Sequence, residues 1–127
     1  MQITGLYAGL CALLLIFLSL RVVRLRRALR VGIGSSGQEP LARAIRAHAN
    51  FTEYVPLALI LLAVAEFQGV AILWVHAAGQ LLVVARLFHA HGLSSSAGRS
   101  LGRTAGTALT WLVLIALALT NITLMLV

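Results

Sequence analysis

Residues 41–67 read LARAIRAHANFTEYVPLALILLAVAEF. From Val55 onward the stretch is apolar, interrupted only by Pro56 and by Glu66 at its far end. Its first half carries Arg43, Arg46, His48, Asn50 and Glu53. A bilayer crossing takes about 20 mostly apolar residues as a helix, and this stretch is long enough. Reading it as a membrane span decides the fold, because three further segments of that length surround it. Residues 1–20 carry no charged side chain, residues 67–85 have only His76 as an ionisable group, and residues 104–127 are uncharged. The breaks between them are marked by Gly32-Ile-Gly-Ser-Ser-Gly37 with Pro40, by Gln68-Gly69, and by the Ser- and Gly-rich run from Gly92 to Gly102. The expected architecture is all-α: a single four-helix transmembrane domain over 1–127, with helices near 2–30, 40–67, 70–91 and 103–126.

Composition agrees. Hydrophobic residues make up 61% of the 127, charged residues only 10%, and mean hydropathy is +1.00. Soluble domains carry about 25% charge, so too little polar surface is present to cover a globule. The ten basic residues are all arginine and stand against three acidic ones, for a net charge of +7. In a membrane protein that excess points to anionic headgroups rather than to nucleic acid. One cysteine excludes a disulfide framework, and His89 with His91 is too sparse for a metal site.

The arginines also orient the chain. Arg21, Arg24, Arg26, Arg27 and Arg30 follow the first span, Arg99 and Arg103 lie in the third loop region before the fourth, and the turn at Gln68-Gly69 has none. The positive-inside rule places loops one and three in the cytoplasm and both termini outside it. The first span is not read as a cleaved signal, because its basic residues follow the apolar run instead of preceding it.

The chemistry concentrates on the second span. Arg43, Arg46, Asn50 and Glu53 are spaced i, i+3, i+7 and i+10, within an arc of about 80° on one helix face. Ionisable residues in a span face a bundle interior or a polar cavity. Arginine holds its charge when partly buried and grips carboxylates through two parallel hydrogen bonds. The stripe therefore suits a small anionic ligand, and an internal ion pair locking helices together is its structural alternative. Pro56, beyond the stripe, is expected to loosen the helix.

The run Arg43-Ala-Ile-Arg46-Ala-His48-Ala-Asn50-Phe-Thr-Glu53-Tyr54-Val-Pro56 closely resembles the signature of the membrane-associated proteins in eicosanoid and glutathione metabolism. Arg26-Arg27-Ala-Leu-Arg30 and Ala85-Arg86-Leu87 extend the resemblance over most of the chain. It is to the bacterial type, which implies an integral protein of a bacterial inner membrane. The resemblance implies a homotrimer of four-helix bundles with glutathione as cosubstrate, bound between subunits at the cytoplasmic side. It implies that Arg46, His48, Asn50, Glu53 and Tyr54 hold glutathione or line its site and that Arg26 reaches one of its carboxylates. Arg86 and His89 are placed with the substrate-binding set by the same resemblance, in the part of helix three where eukaryotic relatives carry tyrosines and this chain has His89 and Leu93. Near the start of helix four the family uses an arginine to stabilise the thiolate; Arg103 is the first candidate and Arg99 the second. A thiolate so held attacks a lipophilic electrophile arriving from the bilayer, in a transferase or peroxidase reaction. Two other classes stand beside this one: a small multidrug-type four-helix transporter, and a glutathione-binding membrane protein without catalysis.

The remaining conspicuous residues have structural readings. Cys11 is read as packing filler, Glu66 as a solvated charge at the outer surface, and His76 with Gln80 as an interhelical hydrogen-bonding pair. Thr104, Thr107 and Thr110 with Ala105, Gly106 and Ala108 read as a helix-packing face. Trp74 and Trp111 read as packing or interfacial anchors.

Overall fold

The computed structural model describes residues 1–95 and 101–126. Within them the chain forms four helices: α1 (Gln2–Leu29), α2 (Glu39–Phe67), α3 (Ile72–Ser95) and α4 (Leu101–Leu126). All four are long and apolar enough to cross a membrane. α1 packs on α2 and α3, and α4 packs on α3 and α2. Among the described residues α1 and α4 do not touch.

α2 is the central element. Its buried residues Leu41, Ala44, Ala47, Phe51, Val55, Ala58, Leu62 and Ala65 recur every three or four positions, a continuous stripe along one face. Four of them are alanine, which lets neighbouring backbones approach closely where lipid supplies no hydrophobic drive. Cys11, Leu18, Leu82, Val113 and Leu117 complete the core against that face, as the reading of Cys11 anticipated. The helix runs unbroken through Pro56, whose ring lies on the exposed side.

The helix ends follow from local chemistry. α2 closes with Gly69 in the left-handed region (φ 81°), where the Val70 N–H donates to the Ala65 carbonyl at 3.1 Å and the Gly69 N–H to Glu66 at 3.1 Å. This pairing satisfies the last carbonyls of the helix. α1 ends with the same pattern, Val31 to Arg26 at 3.0 Å and Arg30 to Arg27 at 3.3 Å, but with arginine at the left-handed position.

Three boundaries differ from expectation by two residues or more. α3 starts at Ile72 instead of 70 and continues to Ser95 instead of ending near 91, and α4 starts at Leu101 instead of 103. Gly92 and Gly102 serve close approach rather than a turn: a Cβ on Gly102 would stand 3.1 Å from the Phe88 carbonyl and 3.3 Å from the Gly92 Cα. Gly106 meets Ala85 and His89 in the same way, so the small-residue face of α4 is a packing face at Gly106 and Thr110, while Thr104, Ala105 and Ala108 are exposed.

Glu66 corrects the sequence reading outright. Its carboxylate is not solvated but accepts from the Ile3 N–H (3.0 Å), the Thr4 N–H (2.8 Å) and the Thr4 hydroxyl (2.6 Å), with the Met1 amino group at 3.3 Å. It caps α1 from the end of α2, answering the unpaired N–H groups and the positive dipole of a helix start. The sequence reading missed this because the partners are more than 60 residues apart. His76 does bond between helices, its Nδ1 lying 2.9 Å from the Tyr7 hydroxyl, whereas Gln80 is exposed. Asn121 donates to the Leu61 carbonyl at 2.9 Å and ties α4 to α2. Trp74 and Trp111 are each about half exposed, at 45% and 51%.

Candidate functional site

Glu66 marks one end of the bundle and the arginines mark the other. At 1.5 Å per residue, Arg46 lies about 30 Å along α2 from Glu66, which is the thickness of a hydrocarbon core. There part of the polar stripe of α2 meets α3 and α4, and the three helices border a half-open cavity of about 370 Å³. Arg43, Arg46 and Asn50 supply the α2 wall, His89 the α3 wall, and Arg103 with Thr107 the α4 wall. Among the described residues no carboxylate lines it. Three guanidinium groups around one space with no acidic lining among the described residues favour an anionic occupant, and the buried Nε of Arg43 has no hydrogen-bond partner among them.

Behind that wall lies Arg86, 1% exposed. It sits about 21 Å along α3 from its first residue, inside the depth of the hydrocarbon core. Its Nη2 donates to the Asn50 Oδ1 at 2.6 Å and stands 3.5 Å from the His89 Nδ1, while Nη1 donates to the Thr110 hydroxyl at 3.2 Å. The Phe51 ring lies beneath the guanidinium, 5.7 Å from Cζ to centroid. The Thr110 hydroxyl in turn donates a hydrogen bond to the Gly106 carbonyl at 2.7 Å. A cation with no carboxylate partner among the described residues is thus held by neutral acceptors and one aromatic face.

The structure brings together Arg46, Asn50, His89 and Arg103 of the anticipated set. Glu53 stands beside them, its carboxylate 3.8 Å from Arg46, with the two side chains 51% and 64% exposed. Tyr54 is half-buried near the stripe and outside the cavity lining. His48 leaves α2 from the opposite flank, five positions and so about 140° beyond Arg43. Arg26 folds back on the loop after α1, donating to the carbonyls of Gly32 (3.1 Å) and Gly34 (3.0 Å). Arg86 backs the cavity rather than lining it. Arg99 and the side chain of Leu93 lie outside the described residues. Arg43 and Thr107 join the lining: Arg43 was visible in the stripe, and Thr107 follows Arg103 by one helical turn, where its hydroxyl donates to the Arg103 carbonyl at 3.0 Å. Among the described residues no three His, Cys, Asp or Glu side chains are grouped so as to hold a metal ion.

Fold and site together define an integral membrane protein of four spans with an arginine-lined cavity at one end of the bundle. The family model that matches is that of the MAPEG family, over residues 4–123. The inner membrane protein YecN of Escherichia coli strain K12 is 39% identical over 121 residues, covering 95% of this chain and 91% of its own length. YecN of Escherichia coli O6:H1 strain CFT073 matches to the same extent. The chain belongs to the MAPEG family.

Proposed function

We propose that the protein binds glutathione in the arginine-lined cavity and presents its thiolate to a lipophilic electrophile from the bilayer. The observation that carries this reading is the convergence of Arg43, Arg46 and Arg103 with Asn50 and His89 around one cavity that no carboxylate lines among the described residues. Glutathione offers two carboxylates and a thiol. Arg46 is assigned to a carboxylate, Glu53 at its rim to the ligand ammonium, and Arg103 to the thiolate, whose charge an adjacent guanidinium favours. Reaction then proceeds by substitution or addition at the electrophile, speeded by positioning and by charge stabilisation.

The same reading has a homotrimer in the membrane with its arginine end in the cytoplasm and both termini outside. Glu53 supports the assembly. It lies about 20 Å from the Glu66 end, within the hydrocarbon depth, yet is 51% exposed on the single chain. A charge facing lipid at that depth is costly, and a neighbouring copy covers it. A small multidrug-type transporter fits less well: Glu53 is paired to Arg46 on the outside of the bundle and Glu66 is consumed in capping α1.

Calorimetry with glutathione tests the assignment. Arg46→Ala should weaken binding by about 1.5–3 kcal/mol, the worth of a hydrogen bond to a charged group. Arg103→Ala should bind nearly normally but lose the ultraviolet thiolate absorbance and the conjugation rate, since its contact is with developed negative charge. Unchanged affinity in Arg46→Ala sinks the assignment of the cavity. Retained signal and rate in Arg103→Ala, lost instead in Arg99→Ala, move the thiolate contact to Arg99. Wild type that binds glutathione without a thiolate signal is the binding protein without catalysis.

A further inference from the structure

Arg86 touches two side chains that line the cavity, and it can do so in only one sense. A guanidinium donates and never accepts. The Asn50 atom 2.6 Å from Arg86 is therefore the amide oxygen, and the two N–H groups of that amide remain for the cavity. The His89 nitrogen at 3.5 Å, at the long end of a hydrogen bond, is then an acceptor, so the imidazole carries its proton on Nε2. Thr110, which also accepts from Arg86, is locked with its proton on the Gly106 carbonyl.

We infer that Arg86 is a positioning residue that sets the hydrogen-bond polarity of the cavity. By occupying the acceptor atoms of Asn50 and His89 from behind, it leaves both as donors. Together with Arg43, Arg46 and Arg103 they make a wall whose described nitrogen groups all donate, with the Thr107 hydroxyl oxygen as the one side-chain acceptor among the described lining residues. Such a wall takes carboxylate and thiolate oxygen or sulfur and rejects ammonium and other donors. Selection of this kind is greatest at the inner wall formed by Asn50 and His89, where a donor facing a donor leaves both without a partner. The inference rests on the proposed function only in taking this cavity as the ligand site.

The test uses the full chain in detergent, with 15N-labelled histidine and glutathione as the probe. His89 is assigned by the resonance lost in His89→Gln. Wild type and Arg86→Lys, which keeps charge and donors, should show His89 as the Nε2–H tautomer. Arg86→Met, which removes the donors, should show a rise in the Nδ1–H form while circular dichroism remains helical. Glutathione affinity should fall roughly ten- to a hundredfold in Arg86→Met and recover most of that in Arg86→Lys, the range expected for unmade bonds to buried groups. An Nδ1–H tautomer in wild type, or an unchanged tautomer in Arg86→Met, overturns the inference. Wild type that fails to bind glutathione overturns the proposed ligand, and the tautomer measurements then decide the role of Arg86 alone.

Discussion

Glu66 is one residue whose replacement has a legible outcome. Its carboxylate answers the amides of Ile3 and Thr4 together with the Thr4 hydroxyl. Glu66→Ala leaves these donors without a partner at the start of α1, and the apparent Tm in detergent should fall. Glu66→Gln keeps an acceptor but loses the charge, so it should lie between alanine and wild type. Equal Tm for the alanine variant and wild type would show that solvent or lipid caps α1 equally well. The ligand contacts also operate at this scale: Arg46 and Arg103 face the same cavity, but one is predicted to govern affinity and the other turnover, and only paired variants separate these roles.

At the scale of the element, the α3–α4 contact is the most constrained. A Cβ at Gly106 would stand 2.6 Å from both the Ala85 carbonyl oxygen and the His89 nitrogen. Gly106→Ala must push α4 away from α3, at about 1–3 kcal/mol for overpacking. The shift also moves Thr110 from Arg86, so thermal stability and ligand affinity should fall together; a variant that loses neither would show that the two helices separate freely. The elements themselves were open to reading from the sequence, since four apolar runs broken by glycine, serine and glutamine leave few alternatives. The polar stripe of α2 was open too, because Arg43, Arg46 and Asn50 share a face by spacing alone. Partners from distant elements were not. No periodicity announces that Glu66 reaches Thr4, or that Arg86 lies behind Asn50 instead of beside it. His48 entered the site by its place in the motif, although the spacing already set it apart: five positions from Arg43, it shares the run but not the face.

For the whole molecule, orientation and assembly are the quantities to measure. A cysteine at Ser36 and another at Gln68 lie at opposite ends of the bundle, and native Cys11 is buried at 2% exposure. In intact spheroplasts a membrane-impermeant maleimide should label Gln68→Cys and spare Ser36→Cys, which should react only after lysis. The reverse pattern would invert the proposed topology. Native mass spectrometry from mild detergent should give a trimer, and Glu53→Ala should weaken it if a second copy covers that side chain. A monomer in which Glu53 stays exposed to lipid would remove the reason for the assembly.

The way Arg86 is held has a consequence for how the chain is made. Helices leave the ribosome in order, so α3 meets the bilayer after Asn50 has been synthesised but before Thr110. An arginine at the centre of a span costs about 2.5–3.5 kcal/mol in translocon insertion, and Arg86, about 21 Å into α3, lies somewhat past that centre. Its first acceptor, at 2.6 Å, arrives with the preceding helix, and its second, at 3.2 Å, only with the following one. A nascent chain truncated after α3 has the Asn50 acceptor but lacks Thr110, and its α3 should cross the membrane less completely than in the full chain.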